Sequence, residues 1–207
     1  MLEIEVYSLG PLATNAYVLT RRQSNACIVI DPGMNPGRLI DRVREMDVEA
    51  ILLTHAHFDH IGGVEELRRL KGCPVYVHAA EADWLGDPEL NGSALWPEVG
   101  PPIVARPADR LLAHGDTLQL LGESFRVYHT PGHSPGSVSF HWHEHVFSGD
   151  VLFQLSVGRT DLPGGSTKEL YDSIHSVLFR FPDATRVHPG HGPETTIGFE
   201  KQHNPYV

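Results

Sequence analysis

The alternation of apolar and polar residues along the chain predicts a mixed α/β fold. Apolar residues at every second position, or in a short unbroken run, are typical of strands, whereas apolar residues three and four positions apart are typical of helices. This criterion predicts strands at residues 3–8, 15–20, 26–31, 50–53, 75–77, 117–121, 125–129, 138–142, 146–148 and 185–188. It predicts helices at residues 38–46, 64–70 and 168–179.

The order of these elements predicts how they pack. Strands come before helices in each half of the chain, which suggests two similar halves. Two sheets packed face to face, with helices on both outer sides, would bury the apolar strands. We therefore expect an α/β fold that forms a four-layer αβ/βα sandwich, with two facing mixed sheets and outer helices.

Residues 85–105 break this pattern, because their prolines and glycines exclude long regular elements. A loop of this length in a compact domain is usually functional or mobile. Its apolar side chains could line a pocket, or they could pack on the body of the protein or on another subunit. The side chains in question are Trp84, Leu90, Leu95 and Trp96.

Composition narrows the class of protein. The 207 residues suffice for one well-buried domain and are too few for two ordinary ones, so we expect a single domain over residues 1–207. The formal net charge of -10 argues against a nucleic-acid partner, since phosphate binding needs a basic face. No apolar run approaches the roughly 20 residues of a membrane span, so we expect no membrane partner.

The first residues and the cysteines suggest where the protein works. Residues 1–5 lack the basic region and apolar core of a signal peptide. Cys27 and Cys73 lie in apolar segments, where we expect small core residues of a reduced protein rather than a disulfide. These features predict a cytoplasmic protein.

The chemistry concentrates in an H-x-H-x-D-H motif followed by two glycines. His55 and His57, two positions apart after a strand, can point the same way and bind one metal ion. Asp59 and His60 follow one turn later and can face a second ion. Nitrogen and oxygen donors without a thiolate suit zinc, iron or manganese in a hydrolytic or oxidative site. A loop that is rich in histidine by chance is the alternative, because the chain has 14 histidines.

Three later segments repeat this design of strand, tight turn and donor. They end in His133 after T-P-G, Asp150 after Gly149, and His191 within P-G-H-G. Loops at strand ends on one edge of a sandwich converge, so these donors can meet those of the first motif. The chain then offers seven donors, namely His55, His57, Asp59, His60, His133, Asp150 and His191. Six of them make three for each of two ions, and the carboxylate of Asp150 remains to bridge.

The other histidines are not expected to bind metal. His129 and His188 stand next to the strand ends that carry the donors, where we expect them to support a metal ligand or to have a structural role. The remaining histidines have no converging partner in the sequence and are expected at the surface or hydrogen-bonded in the core, namely His78, His114, His141, His143, His145, His175 and His203.

Together the motifs H-x-H-x-D-H, T-P-G-H-S, G-D and P-G-H-G resemble the metallo-β-lactamase superfamily, and within it the glyoxalase II-like (hydroxyacylglutathione hydrolase) branch. The resemblance extends from N-A-Y at 15–17 and D-P-G at 31–33 to N-P-Y at 204–206. It implies that Asp31 orients a ligand imidazole by accepting its other N–H, although a simple turn residue is the alternative. It also implies one ion held by His55, His57 and His133, and a second held by Asp59, His60 and His191, with Asp150 between them.

The resemblance implies hydrolysis of a small thioester, with S-lactoylglutathione or a related hydroxyacyl thioester as the expected substrate. Two divalent cations, zinc first and iron or manganese as alternatives, would share a water and lower its pKa towards about 7. The metal-bound hydroxide would then attack the carbonyl, and a thiol with a pKa near about 8.5 leaves with little protonation. Asp59 is the candidate catalytic residue, since it could take the proton that the hydroxide releases. The sequence does not indicate an oligomeric state.

Two features depart from the glyoxalase II pattern. The sequence ends at Val207 without the C-terminal helical extension that supplies glutathione contacts in that branch, and the Lys and Tyr used for glutathione before residue 168 are missing. The segment G-R-T-D at 158–161 instead resembles the persulfide dioxygenases, a mono-iron branch of the superfamily. Arg159 could bind a substrate carboxylate with two hydrogen bonds, or it could pair with Asp161.

Two other functions therefore stay open. One is a mono-iron persulfide dioxygenase, with the iron on His55, His57 and Asp150. The other is a non-catalytic metal-binding or redox-partner module, as in the flavodiiron proteins. This chain differs from those proteins in the first motif, where it has His57 and they have glutamate.

Overall fold

The computed structural model describes residues 2–207, and its first half forms a six-stranded sheet. The strands lie in the order of the chain: β1 (Leu2–Leu9), β2 (Thr14–Arg21), β3 (Ala26–Ile30), β4 (Asp47–Leu52), β5 (Val75–His78) and β6 (Arg110–Leu112). The first three strands pair antiparallel, and β3 to β6 pair parallel. The sheet is therefore mixed.

The second half forms another six-stranded mixed sheet, in the order β14-β13-β10-β9-β8-β7. Its strands are β7 (Thr117–Leu120), β8 (Glu123–His129), β9 (Val138–Trp142), β10 (His145–Gly149), β13 (Arg186–Pro189) and β14 (Thr195–Thr196). Strands β10 and β13 pair parallel, and the other pairs are antiparallel. Strands β11 (Leu152–Phe153) and β12 (Ser156–Val157) form a small separate hairpin.

The helices cover the outer faces of the two sheets. They are α1 (Gly37–Val43), α2 (Phe58–Ile61), α3 (Val64–Lys71), α4 (Thr167–Ser176) and α5 (Ile197–His203). One apolar cluster joins α1 and α3 to the first sheet, a second lies between the sheets around Phe125, Phe140 and Phe147, and a third joins α4 and α5 to the second sheet. The predicted four-layer αβ/βα sandwich is confirmed.

Several short elements were not predicted. Strand β6 is an edge strand whose Arg110 and Leu111 are both exposed, so no alternating pattern marks it. Helix α5 contains Gly198 and is short, and its start is fixed by the hydroxyl of Thr196, which accepts a hydrogen bond from the main-chain N–H of Phe199. The predicted helix at 168–179 ends earlier as an α-helix, at Ser176, and a single 3₁₀ turn, Leu178–Arg180, follows.

The long loop at 85–105 holds together through a buried asparagine. Asn91 donates hydrogen bonds from its side chain to the carbonyl oxygens of Trp84 and Ile103, 3.1 and 2.9 Å away. Single 3₁₀ turns occur at Trp84–Gly86 and Ser93–Leu95. No helix within residues 2–207 has the length and apolar character needed to cross a membrane.

Candidate metal centre

The seven predicted donors come together at one edge of the sandwich, where four strands end. The loop after β4 carries His55 and His57, and the short helix α2 that follows carries the next two donors. The loops after β8, β10 and β13 carry His133, Asp150 and His191. The convergence of strand ends that the sequence predicted is therefore present in the structure.

The donors form three overlapping groups in which one nitrogen or oxygen atom from each residue lies within 4.8 Å of the others. The groups are His55–His57–His133, His55–His60–Asp150 and Asp59–His60–His191. The first and third match the two sets that the resemblance implied, and the second contains Asp150. Each group supplies three nitrogen or oxygen donors, the number that catalytic zinc sites take from the protein.

Asp150 lies between the two outer groups. Its Oδ1 lies 3.3 Å from His60 Nε2, and its Oδ2 lies 3.6 Å from His133 Nε2 and 3.4 Å from His191 Nε2. A carboxylate whose two oxygens face different imidazoles can serve two cations at once. The close fit depends on Gly190, because a Cβ there would overlap Asp150 Oδ1.

Four of the imidazoles are oriented by an oxygen at Nδ1. His60 Nδ1 lies 2.9 Å from Asp31 Oδ2, His133 Nδ1 lies 2.8 Å from the carbonyl oxygen of Arg159, and His191 Nδ1 lies 3.1 Å from that of Leu12. A carboxylate or carbonyl oxygen can only accept, so these Nδ1 atoms carry the proton. His55 Nδ1 lies 3.1 Å from the hydroxyl of Thr54. Each of these rings thus directs its Nε2 at the centre, the orientation that a metal ligand needs.

The atoms left without a partner lie at the same place. Within the part of the chain that the structure describes, four buried side-chain atoms have no hydrogen-bond partner: His55 Nε2, His57 Nε2, His60 Nε2 and Asp150 Oδ1. Buried polar atoms without partners are costly and rare in native proteins. A cation at the centre would engage His55 Nε2, His60 Nε2 and Asp150 Oδ1, so the residues present fit a metal centre.

The pKa shifts differ between the two sides of the centre. Burial holds the pKa of His55 well below its usual value and lowers that of His57 to about 3, so these rings are neutral donors. Burial works to raise the pKa of Asp150, but His60 and His191 outweigh it and hold that pKa well below its usual range. At His191, burial lowers the pKa, and Asp150 and Asp59 overcome it to give about 9. A cation bound by these carboxylates would displace protons from their imidazole partners.

Two threonines that the sequence analysis missed hold the acidic residues. The hydroxyl of Thr14 donates to Asp59 Oδ2 over 2.7 Å. Thr54 donates from its main-chain N–H and its hydroxyl to the two oxygens of Asp31, over 2.8 and 2.6 Å. Asp31 has a left-handed backbone (φ 50°) and faces His60, so the structure places it beside an imidazole rather than in a simple turn. Thr54 directly precedes the histidine motif, but nothing in the sequence linked Thr14 to it.

A pocket of about 200 Å³ opens onto the centre. Its walls combine apolar side chains with donors and one cation, and the lining includes Leu12, Phe58, Trp96, Val99, Arg159 and Leu162. Each alternative for the 85–105 loop holds for part of it, since Trp96 lines the pocket, whereas Trp84 and Leu90 pack in the apolar cluster of the first sheet. Arg159 pairs with Asp161 through two hydrogen bonds of 2.7 and 2.8 Å, which was the alternative to a free substrate-binding role.

The remaining predictions about histidines and cysteines agree with the structure. His129 Nε2 donates to the carbonyl oxygen of Pro135 over 2.8 Å, and His188 stacks on Phe147, so both rings are structural. Cys27 and Cys73 are both free and buried. None of these side chains reaches the metal centre.

Comparison with known proteins decides the family. The sequence model of the metallo-beta-lactamase superfamily matches residues 9–191, which include all seven donors. The chain belongs to the metallo-beta-lactamase superfamily. It is 43% identical over 203 residues to the probable metallo-hydrolase YqgX of Bacillus subtilis, covering 96% of this chain and 94% of that one. It is 35% identical to the hydroxyacylglutathione hydrolase GloC of Haemophilus influenzae, covering 100% and 98%.

Solved structures of the superfamily share the fold over nearly the whole chain. BLEG-1, described as a B3 metallo-beta-lactamase, superimposes with a TM-score of 0.93 at 48% identity over 99% of each chain. TTHA1623 in a di-iron-bound form gives 0.85 at 42% identity, over 98% of this chain and 100% of that one. ETHE1 from Myxococcus xanthus gives 0.80 at 30% identity, over 99% and 83%. These comparisons place the chain among metallo-hydrolases of the superfamily. The names of these relatives indicate more than one activity.

Proposed function

We propose that the protein hydrolyses a small thioester at a centre of two divalent cations. The observation that carries the proposal is the set of seven converging donors, four of whose buried atoms have no hydrogen-bond partner. One cation would be held by His55, His57 and His133, the other by Asp59, His60 and His191, and both by Asp150. Zinc is the first expectation, and the di-iron form of TTHA1623 supports iron as a second.

The chemistry follows from what this pair of cations and its residues would supply. Two bound cations lower the pKa of a water towards about 7 and polarise a carbonyl oxygen, which makes hydrolysis possible at neutral pH. Asp59 Oδ2 is held by the Thr14 hydroxyl and faces His191 Nε2 at 3.2 Å, so it is placed to accept a proton during the reaction. The Nδ1 partners of the imidazoles keep the donors in place throughout.

The substrate class is argued from the pocket and from the relatives. A thiolate leaves without a dedicated acid because thiols ionise near about pH 8.5, and the walls of the pocket provide no obvious acid beyond the donors. Its apolar side chains suit a short acyl chain, and Arg159 at the rim suits a carboxylate, which would replace Asp161. GloC, named for hydroxyacylglutathione hydrolysis, supports S-lactoylglutathione as the first substrate to try.

The test is hydrolysis of S-lactoylglutathione, followed by the loss of thioester absorbance, with protein whose metal content is assayed in the same preparation. We expect turnover that scales with metal content up to two ions per chain. Full loading with two ions and no turnover of any thioester would contradict the proposal.

A second candidate is persulfide oxidation at a single iron held by His55, His57 and Asp150. Two observations favour it: the likeness to ETHE1 from Myxococcus xanthus, and the G-R-T-D segment at 158–161. Oxygen uptake by iron-loaded protein with glutathione persulfide would support this candidate. Its failure, together with thioester turnover, would leave the hydrolase.

A further inference from the structure

A buried glutamate lies beside the metal centre without being one of its donors. Glu81 ends the single 3₁₀ turn Ala79–Glu81 that follows β5, and its exposed fraction is 0%. A glutamate is almost never fully buried without a specific partner. Its partners are two main-chain N–H groups and the hydroxyl of Ser134, all on the loops that carry metal-centre histidines.

Each oxygen of Glu81 binds a different loop. Oε2 accepts a hydrogen bond from the N–H of Ala56 over 2.6 Å, and Oε1 accepts one from the N–H of Gly136 over 2.7 Å. Ala56 lies between His55 and His57, and Gly136 lies three residues after His133. One carboxylate therefore joins the two loops that supply all three imidazoles of the first group.

The close approach of the two loops is built into the chain. A Cβ on Gly136 would lie 2.7 Å from Glu81 Cγ, closer than real Cβ contacts allow, so a glycine is needed here. On the far side of this link, His57 Nδ1 and His133 Nε2 lie 2.8 Å apart. The spacing of these two rings depends on how tightly the two loops are held together.

We propose that Glu81 is a positioning residue that sets the spacing between the His55–His57 loop and the His133 loop, and thereby sets how tightly the first group holds its ion. This inference rests on the proposed function, because it takes these three imidazoles as metal ligands. Residues that hold metal ligands in place typically change metal affinity by about 10- to 100-fold when they are replaced.

The test uses the zinc-loaded protein and the Glu81→Gln variant. Glutamine has the same shape, but its NH₂ group would face one of the two main-chain N–H donors, so one of these two hydrogen bonds is lost and the link between the loops is weakened. We expect zinc to be released to a chromogenic chelator about 10- to 100-fold faster than from the wild type. The faster release should involve one zinc of the two, because the third group has no bond to Glu81.

Glu200→Gln is the matched control. Glu200 is also 0% exposed and also accepts a hydrogen bond from a main-chain N–H, that of Leu155, over 2.9 Å. Its other partners, Thr195 and Asn204, belong to neither of the two loops that Glu81 joins. The change therefore makes the same carboxyl-to-amide replacement at an equally buried site, and zinc release should stay within about twofold of the wild type.

Equal acceleration of zinc release in both variants, matched by equal losses of melting temperature, would overturn the inference. Gly136→Ala provides a second route if Glu81→Gln does not fold, because its Cβ would push the Glu81 side chain away from the His133 loop while the carboxyl group itself is kept. Slow, wild-type release from Gly136→Ala would also overturn the inference. If the wild type itself binds no zinc or iron, the proposed function fails first.

Discussion

Two buried groups of histidines within residues 2–207 differ in their arrangement, and only one of the two is arranged to bind metal. The metal centre gathers imidazoles around two carboxylates, and several of its inward atoms have no hydrogen-bond partner. The second group, which we call the histidine stack, consists of His145 and His188, with Trp142 and Phe147 packed against them. It lines a larger cavity, of about 430 Å³, at the edge formed by β1 and β13.

The ring nitrogens of the histidine stack face each other and a neighbouring glutamate, rather than an open gap. His145 Nδ1 and His188 Nε2 lie 2.9 Å apart, and His188 Nδ1 lies 3.4 Å from Glu194 Oε2. Glu194 is itself bound by Arg186 through two hydrogen bonds of 2.6 and 2.8 Å. Among residues 2–207, no group of three ligand atoms close enough for a metal ion includes either ring.

The comparison teaches that burial and a high local number of histidines do not define a metal site. The defining features are nitrogens that point at one another across a gap and carboxylates that lie among them. Cavity size is not a guide either, because the larger cavity lies beside the histidine stack. The following predictions test this distinction, from the largest expected effect to the smallest.

Asp150→Asn should abolish turnover. The change keeps the shape of the side chain but removes the negative charge that faces His60, His133 and His191. We expect kcat for thioester hydrolysis to fall by at least about 10³-fold, because a water with an unlowered pKa supplies little hydroxide at neutral pH. The control is His188→Gln in the histidine stack, which should keep most of its activity. Similar losses of kcat in both variants would contradict the distinction between the metal centre and the histidine stack.

His191→Ala should remove one metal ion and most of the activity. His191 belongs to the third group but not to the first, so the first group keeps its donors. Metal analysis should give about one ion per chain, against about two for the wild type and for His188→Gln. Retention of two ions, or full activity with one, would remove His191 from the centre.

The histidine stack should affect how the free energy of unfolding falls at acidic pH, and it should leave the metal content unchanged. Burial lowers the pKa of His188 to about 3, so the folded state resists protonation that the unfolded chain accepts below about 6.5. The contribution of His188 to stability is thus complete above pH 6.5 and is lost as the pH falls towards 3. Between pH 6.5 and 5 the loss should be about 2 kcal/mol, at 1.36 kcal/mol per unit. Urea unfolding of His188→Gln should show a correspondingly flatter decline, and an unchanged slope would refute this assignment.

Arg159→Ala should weaken substrate binding with little effect on chemistry. Arg159 lines the pocket but is half-exposed, so solvent and salt screen its charge. We expect KM for a thioester that carries a carboxylate to rise about 10-fold with kcat nearly unchanged. Arg186→Ala is the matched control, since Arg186 forms the same two-bond ion pair at similar exposure beside the histidine stack. A fall in kcat with KM unchanged would contradict a role of Arg159 in substrate binding.

The sequence was informative wherever a local pattern determined the structure. Apolar periodicity predicted most strands and the layers, and the donors could be found because each follows a strand end with a turn. The family match confirms the resemblance that those motifs carried. The short edge strand β6 and the Gly-containing helix α5 carry no such pattern.

Contacts between distant segments could not be predicted in this way. Thr14 is 45 positions from Asp59, and Glu81 is 25 positions from Ala56 and 55 from Gly136. Nothing in their neighbouring residues marks them, because their role arises only when the chain brings separate loops together. The Arg159–Asp161 pair is the opposite case, since two residues two positions apart were recognised as possible partners.

The central claim is that the seven donors hold two cations in two distinct places. Anomalous X-ray scattering at the zinc absorption edge, on crystals of the zinc-loaded protein, tests it directly. We predict two peaks, one beside His55, His57 and His133 and the other beside Asp59, His60 and His191, with Asp150 contacting both. A single peak, or a peak beside His145 and His188, would contradict the claim.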